Sequence, residues 1–211
     1  MRIVMFVLFA FVAVPAGAVF AADIKLPTPQ KYGGTPLYEA MDQRGSATNP
    51  GFPSNRLDME DFSTILWAAS GHNRDGKKWT VPMANGRPPY CKVYLALDEG
   101  VFLYDWSKNI LKQVSTQNVK DVIPSQDFVK KAPASLYIVS DSQALAKVPP
   151  AMAAEFPAVL AGAMSQNIYL ACEGIGVGTR VIYSIDRALA TKLLKLDPLD
   201  VPFFVMPLGK R

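Results

Sequence analysis

Cysteine and histidine are scarce in this chain of 211 residues, which contains two cysteines and one histidine. A structural zinc site takes about four ligands, mostly cysteine and histidine, at short spacings, and no segment offers such a set. We therefore expect no bound metal. Cys91 and Cys172 leave two alternatives open, which are a disulfide in an oxidising compartment or two separate buried thiols.

Strong charge of one sign is also lacking. The formal net charge is +4, and the basic residues are scattered along the chain. A basic stripe with interleaved aromatic side chains would indicate nucleic-acid binding, and the sequence shows none, so we do not expect a nucleic-acid partner. The chain is 50% hydrophobic and carries both signs of charge, which indicates a folded domain rather than a disordered one.

Familiar catalytic motifs are missing as well. The glycines between residues 174 and 178 have the spacing of a dinucleotide loop, but they follow a predicted helix and open a predicted strand. That order is the reverse of a Rossmann unit, so a helix stop is the favoured interpretation of the glycines alone. No Gly-x-Ser-x-Gly surrounds a serine, so a serine hydrolase would depend on His72. Glu60 and Asp61 are adjacent on a helix and predict a solvated face.

One long apolar run stands near the N-terminus. Residues 3–14 are uninterruptedly apolar, Arg2 precedes them, and a proline and small residues follow up to Ala21. This order is typical of a secretory signal peptide, and a run of about a dozen residues is shorter than the roughly 20 that span a bilayer. We predict a signal peptide over residues 1–21, a periplasmic or secreted bacterial protein, and no membrane segment after cleavage. A retained N-terminal anchor is the alternative.

The remaining sequence predicts an extended arm over residues 22–36 and one domain over residues 37–211. Helices are predicted at 37–43 with Thr35 as N-cap, at 59–70 with Asp58 as N-cap, at 151–173 and at 186–195. Strands are predicted at 92–98, 101–105, 134–140, 177–185 and 201–206, and a long polar loop at 72–90. Because helices and strands do not alternate, we predict an α+β fold with a mainly antiparallel sheet flanked by helices and a central apolar helix.

Four segments, taken in chain order, resemble the FMN-dependent nitroreductase family. They are Arg-Gly-Ser-Ala-Thr at 44–48, Ile-Leu-Trp-Ala-Ala-Ser-Gly-His-Asn-Arg at 65–74, Pro-Met-Ala-Asn-Gly-Arg-Pro at 82–88, and the helix-to-strand segment 161–179, which contains Ser-Gln-Asn and ends in Gly-Val-Gly-Thr. The resemblance is closest to the subgroup of azoline (thiazole/oxazole) peptide dehydrogenases. It implies a nitroreductase-like fold and a homodimer that binds FMN at the subunit interface. It also implies electron transfer in two steps, from a reduced donor to flavin and then to a small organic acceptor.

The resemblance names no catalytic residue, but it implies a set of cofactor-binding residues. Arg44 and Ser46 are expected at the phosphate, the Pro82–Gly86 loop at the polar edge of the flavin ring, and the terminal Lys210 and Arg211 in place of the family's basic phosphate ligands. The complete set is Arg44, Ser46, Thr48, Pro82, Met83, Ala84, Asn85, Gly86, Gly178, Thr179, Tyr183, Ser184, Lys210 and Arg211. Structural roles are expected for Trp67, Asn73, Arg74 and Asn167.

Two other functions stay open at this point. One is a flavin-free exported binding or interaction protein on the same dimeric fold. The other is a small hydrolase that uses His72. Yellow protein with a flavin absorption band would distinguish the oxidoreductase from both.

Overall fold

The computed structural model of the chain describes residues 23–48, 51–83 and 87–211. The predicted signal peptide therefore lies outside the described residues, and so do Ala84, Asn85 and Gly86 of the predicted flavin loop. Both assignments stay predictions.

A seven-stranded antiparallel sheet forms the centre of the fold. Its strands, in chain order, are β1 (Ile24–Lys25), β4 (Cys91–Leu97), β5 (Gly100–Asp105), β6 (Ile110–Ser115), β7 (Ala134–Ser140), β8 (Val177–Thr179) and β9 (Pro202–Lys210). They lie in the order β1-β6-β5-β4-β7-β9-β8. A separate ribbon pairs β2 (His72–Asn73) with β3 (Lys78–Trp79).

Side chains of the central strands alternate between two cores, as the two-residue period of a strand requires. On β4, Val93, Leu95 and Leu97 enter the larger core. Tyr94 and Ala96 enter the smaller core on the opposite face. Both faces of the sheet are therefore covered, which explains why β7 is buried along its whole length.

Helices flank the sheet. They are α1 (Leu37–Gln43), α2 (Met59–Ser70), α3 (Asp127–Lys130), α4 (Ser142–Leu145), α5 (Pro150–Ala153), α6 (Glu155–Gly174) and α7 (Arg187–Leu193). The Asp58 carboxylate caps α2 by accepting from the Asp61 N–H at 2.8 Å, and the Asp61 carboxylate accepts from the Asp58 N–H at 3.1 Å. This reciprocal capping box fixes where α2 begins. Both α1 and α2 pack against α6.

The α+β fold with a mainly antiparallel sheet is confirmed, and several details of the prediction are wrong. Helix α1 begins after Pro36 without a side-chain cap, so Thr35 does not cap it. The predicted helix at 151–173 is two helices that meet at Ala154. The predicted strand at 177–185 ends at Thr179, and only isolated bridges at Ile182 and Ile185 follow it.

Other elements were not predicted. Strand β6 was missed because Lys112 and Gln113 interrupt its apolar alternation, and the ribbon β2–β3 lies within the predicted 72–90 loop. Asp61 is buried, so the predicted solvated face holds for Glu60 and is wrong for Asp61. Cys91 and Cys172 are separate buried thiols.

Helix α6 is less enclosed than its composition predicts. Its inner side is buried, but Phe156 and Val159 face outwards, and Val159 is 70% exposed. Within the described ranges, no helix is long and apolar enough to cross a membrane.

Candidate functional site

The segment that follows α1 is held against the sheet by its backbone. Arg44 ends α1, since its N–H donates to the Ala40 carbonyl at 2.9 Å. The Ala47 N–H then donates to the carbonyl of Thr179 in β8 at 2.9 Å. The chain therefore brings two sequence-predicted segments, 44–48 and 178–179, into direct contact.

Tyr169 of α6 organises the side chains of that segment. Its hydroxyl lies 2.9 Å from Ser46 Oγ and accepts the Val181 N–H at 2.9 Å. The Arg44 guanidinium lies over the same ring, 4.6 Å from its centroid, at the distance of a cation–π contact. Sequence reasoning missed Tyr169 because an aromatic residue on an apolar helix indicates core. The one available signal was its position inside the 161–179 segment.

A cavity of about 690 Å³ opens beside this segment, and we call it the flavin cavity after the cofactor that the sequence resemblance predicts. Its walls are the 45–48 segment, residues 51–55 and the end of β9. Of the predicted site residues, Ser46, Thr48, Lys210 and Arg211 line it. The volume lies within the ordinary range for small-molecule sites, which is about 300–1,000 Å³.

Gly178 and Thr179 support the flavin cavity from behind and do not border it. A Cβ atom on Gly178 would lie 2.7 Å from Pro53 Cγ, and one on Gly209 would collide with the Pro53 carbonyl oxygen. These two glycines therefore let β8 and β9 approach the 51–55 wall. Thr179 is buried, and its hydroxyl oxygen has no hydrogen-bond partner within the part of the chain that the structure describes.

The terminal cations form ion pairs with carboxylates on two helices. Lys210 Nζ lies 2.8 Å from an Asp61 carboxylate oxygen and 3.6 Å from Asp58, and Arg211 makes a bidentate pair with Glu173 at 2.9 and 2.6 Å. The Arg211 hydrogen bond lowers the pKa of Glu173, and the Asp61 hydrogen bond raises the pKa of Lys210. Backbone bonds from Lys210 to Asn55 and from Arg211 to Gly176 also hold this terminus.

Two other groups of predicted residues lie outside the lining of the flavin cavity. Pro82 and Met83 follow a loop that Asn167 holds, because the Asn167 amide donates to Thr80 at 2.9 Å and to Ala68 at 3.1 Å. This contact agrees with the structural role predicted for Asn167. Met83 packs against the larger core.

Tyr183 and Ser184 also lie outside the lining. Tyr183 is 67% exposed, and its ring stands edge-on to Phe204. The Ser184 carbonyl accepts from the N–H and the hydroxyl of Ser125. The structure therefore gives both residues contacts within the domain and places neither at the flavin cavity.

His72 takes no part in a nucleophile arrangement that the structure shows. Its ring packs against Trp79 and Trp106, with centroid distances of 4.2 and 5.0 Å. No group of three or more histidine, cysteine, aspartate or glutamate side chains is placed to hold a metal ion among the described residues.

Comparison with known proteins identifies the class to which this fold belongs. The sequence matches the profile of the nitroreductase family over residues 51–210. The chain belongs to the nitroreductase family. Members of this family generally bind FMN, so membership indicates a flavin-dependent oxidoreductase.

Individual relatives agree with this assignment. The chain is 25% identical over 167 residues to "Putative nitroreductase MJ1384" of Methanocaldococcus jannaschii, covering 75% of this chain and 83% of that protein. A crystal structure of a "putative nitroreductase" from Ralstonia eutropha matches with a TM-score of 0.81 and 29% identity, covering 96% of this chain and 95% of the other. The E. coli microcin synthetase McbBCD complex shares the fold, with a TM-score of 0.62 and 17% identity over 86% of this chain and 84% of the other.

Proposed function

We propose that this protein is an FMN-dependent oxidoreductase that carries electrons from a reduced donor to a small organic acceptor. The observation that carries the proposal is the flavin cavity, whose lining combines Ser46 and Thr48 with the two basic residues at the C-terminal end of β9, Lys210 and Arg211. Hydroxyl and guanidinium donors are the groups that bind a phosphate. The residues present therefore fit the phosphate end of FMN.

Bound FMN would supply the redox chemistry, accepting electrons in one half-reaction and releasing them in the other. The chain's own residues bind and orient it. Ser46 is positioned for this role by the Tyr169 hydroxyl, because the contact at 2.9 Å restricts its rotamer. The Pro82–Gly86 loop is proposed at the polar edge of the flavin ring, where backbone and amide donors would stabilise the reduced form.

Arg44 is proposed as the principal phosphate ligand. Within the described residues it makes no ion pair, and its partner is the π face of Tyr169. Lys210 and Arg211, in contrast, already lie against carboxylates. Arginine retains further N–H donors after a bidentate contact, so Arg211 can add hydrogen bonds to a phosphate while Glu173 offsets much of its charge.

A homodimer is part of the proposal. Helices α1 and α6 pack together, and apolar side chains on both face solvent: Leu37 and Met41 on α1, and Phe156 and Val159 on α6. Exposed apolar side chains on two helices that pack together are typical of a subunit interface. The interface would bring a second chain to the same end of α1 from which the 44–48 segment starts.

The dimer is tested by light scattering after size exclusion. Val159→Glu is expected to give a monomer, because it places a charge in the apolar interface. Val122→Glu, at an exposed valine outside α1 and α6, is the matched control and is expected to remain a dimer. A wild-type monomer, or an unchanged dimer in Val159→Glu, contradicts this part of the proposal.

Export and the subgroup are further parts of the proposal. The apolar run at 3–14 supports cleavage after Ala21, and mass spectrometry of the protein from a bacterial envelope fraction should find Ala22 as the first residue. The segment at 65–74 supports kinship with the azoline peptide dehydrogenases. A donor and acceptor screen that includes an azoline-containing peptide tests this point.

The absorption spectrum of the purified protein tests the function as a whole. Yellow protein, or colourless protein that retains added FMN after free FMN is removed by gel filtration, supports the oxidoreductase. Colourless protein that fails to bind added FMN contradicts it. A stable dimer without flavin and without activity would favour the exported binding protein instead.

A further inference from the structure

Aromatic side chains gather at one corner of the molecule, away from the lining of the flavin cavity. The sequence contains three tryptophans and one histidine, and all four lie here. The His72 ring centroid is 4.2 Å from that of Trp79 and 5.0 Å from that of Trp106, and Trp79 and Trp106 meet edge-on at 4.4 Å. Trp67 joins the group because its Nε1 donates to the His72 carbonyl at 2.7 Å.

These rings border a cleft of about 440 Å³, which we call the aromatic cleft. Trp67, His72, Tyr104 and Trp106 supply its aromatic wall, and the extended arm closes the other side. It shares no lining residue with the flavin cavity. Trp79 packs behind the wall, against the larger core.

The wall and the arm are held in place by hydrogen bonds. The Asn109 amide nitrogen donates to the Pro27 carbonyl at 2.9 Å, and the Asn109 amide oxygen accepts from the Tyr104 hydroxyl at 3.2 Å. The Leu26 N–H donates to the Asn109 carbonyl at 3.0 Å. The cleft is therefore preformed, which lowers the entropic cost of binding a ligand there.

The charge around the aromatic cleft is predominantly positive. Lys25, Lys31 and Lys108 line it, against a single acidic residue, Asp75. The Lys31 ammonium lies over the Trp67 ring, 5.6 Å from its centroid. None of the three lysines makes a salt bridge to a carboxylate in the described ranges, so their charge remains available to a bound anion.

We propose that the aromatic cleft binds planar aromatic anions, with aromatic carboxylates as the representative class. The ring would stack on Trp67 and Trp106, and the carboxylate would lie among the lysines. An aliphatic anion would lack the stacking, and a neutral aromatic molecule would lack the charge complementarity. The site is independent of flavin binding.

Binding is tested with 2-naphthoate, by calorimetry and by two-dimensional NMR of the ¹⁵N-labelled protein. The indole N–H signals are direct reporters, because every tryptophan lies in or behind the wall. We expect those of Trp67 and Trp106 to shift during the titration while the Ser46 and Gly178 amides stay in place. Neutral 2-naphthamide and cyclohexanecarboxylate are the matched probes, and each should bind at least about fivefold more weakly.

Substitutions separate stacking from charge. Trp106→Ala should weaken 2-naphthoate binding at least about tenfold. Lys31→Gln should weaken it several-fold, with Lys147→Gln, at an exposed lysine on another part of the surface, as its control. Should Trp106→Ala fail to fold, the doubly charge-reversed Lys31→Glu/Lys108→Glu protein replaces it and should abolish binding.

Three results would overturn the proposal. They are an absence of 2-naphthoate binding at millimolar concentration, equal affinity for 2-naphthoate and 2-naphthamide, and chemical-shift changes confined to the flavin cavity. A colourless, flavin-free protein that still binds 2-naphthoate would uphold this site while contradicting the oxidoreductase.

Discussion

The cations near the flavin cavity have two kinds of partner. Lys210 and Arg211 line the cavity, while Arg44 is not in the lining and lies in sequence between two lining residues, Gln43 and Gly45. Arg44 lies on the π face of Tyr169, while Lys210 and Arg211 lie on the carboxylates of Asp61 and Glu173. An aromatic face orients a guanidinium without neutralising it. A carboxylate orients a cation and also offsets its charge. We infer that the terminal cations mainly hold the chain end against α2 and α6. Arg44, in contrast, keeps its charge for a ligand.

The largest expected effect is on FMN affinity at Arg44. Arg44→Ala should weaken FMN binding roughly ten- to a hundredfold, as expected for the loss of a charge-assisted hydrogen bond. Arg211→Ala should weaken it by less than about fivefold, because Glu173 already offsets that charge. Flavin fluorescence titration measures both constants. If the two variants lost FMN affinity equally, the proposed difference between Arg44 and Arg211 would be wrong.

Tyr169→Phe keeps the ring under Arg44 and removes the hydroxyl. The Val181 N–H then loses its acceptor, and Ser46 loses its partner. We expect the free energy of unfolding to fall by about 1–2 kcal/mol in urea. Tyr183→Phe, at an exposed tyrosine without a hydrogen bond to these groups, should change it by less than about 0.5 kcal/mol. A loss of similar size at both tyrosines would show that Tyr169 does not organise the segment.

Asp61→Ala tests the carboxylate side of the comparison. It removes one half of the capping box and the main partner of Lys210, and we expect a loss of about 1 kcal/mol in urea unfolding. Glu60→Ala, at the exposed neighbour, is the control and should be nearly silent. FMN affinity should change little in either variant. A large loss of FMN affinity in Asp61→Ala would mean that Lys210 contributes more to binding than its pairing indicates.

The smallest effect concerns pH. The Arg211 hydrogen bond holds the pKa of Glu173 below its ordinary 4.5 in the folded chain. The contribution of the pair is therefore complete above pH 4.5 and is lost as the pH falls through the lowered folded pKa. Glu173→Gln should flatten the decline in stability in that acidic range by less than about 1 kcal/mol, because Arg211 is half exposed. Glu155→Gln, an exposed substitution on α6, should leave the decline unchanged.

Local sequence patterns predicted the elements whose ends are marked by a capping residue or a glycine, or whose residues have high strand propensity. The Asp58 cap and the Gly71 stop delimit α2, and the strand predicted at 134–140 is β7. Strand β6 was not predicted, because its pairing with β5 is decided by tertiary contacts rather than by an alternation of apolar and polar residues in β6 itself. The break at Ala154 precedes Pro157, which lies in the first turn of α6 and has no N–H to donate to the Ala153 carbonyl. The apolar periodicity on both sides of this proline led us to predict one helix.

The candidate site was predictable only where a motif names a side chain. Segment 44–48 placed Ser46 and Thr48 at the cavity, and the terminal basic residues also reached it. The carboxylates that hold those cations could not be found, because Asp61 and Glu173 come from helices far apart in sequence. Tyr169 was not predicted for a related reason. Its contacts with Arg44 and Ser46 depend on the 44–48 segment folding against α6.

The contact between Gly209 and Pro53 links the edge of the sheet to the shape of the ligand cavity. A methyl group at position 209 would collide with the Pro53 carbonyl oxygen and displace residues 51–55, which form one wall of the flavin cavity. Substitutions at a residue whose own side chain is a single hydrogen atom can therefore remodel the pocket without touching any ligand-facing group. A search for variants with altered ligand preference should therefore include Gly178 and Gly209, which pack against residues 51–55, as well as the residues that line the cavity.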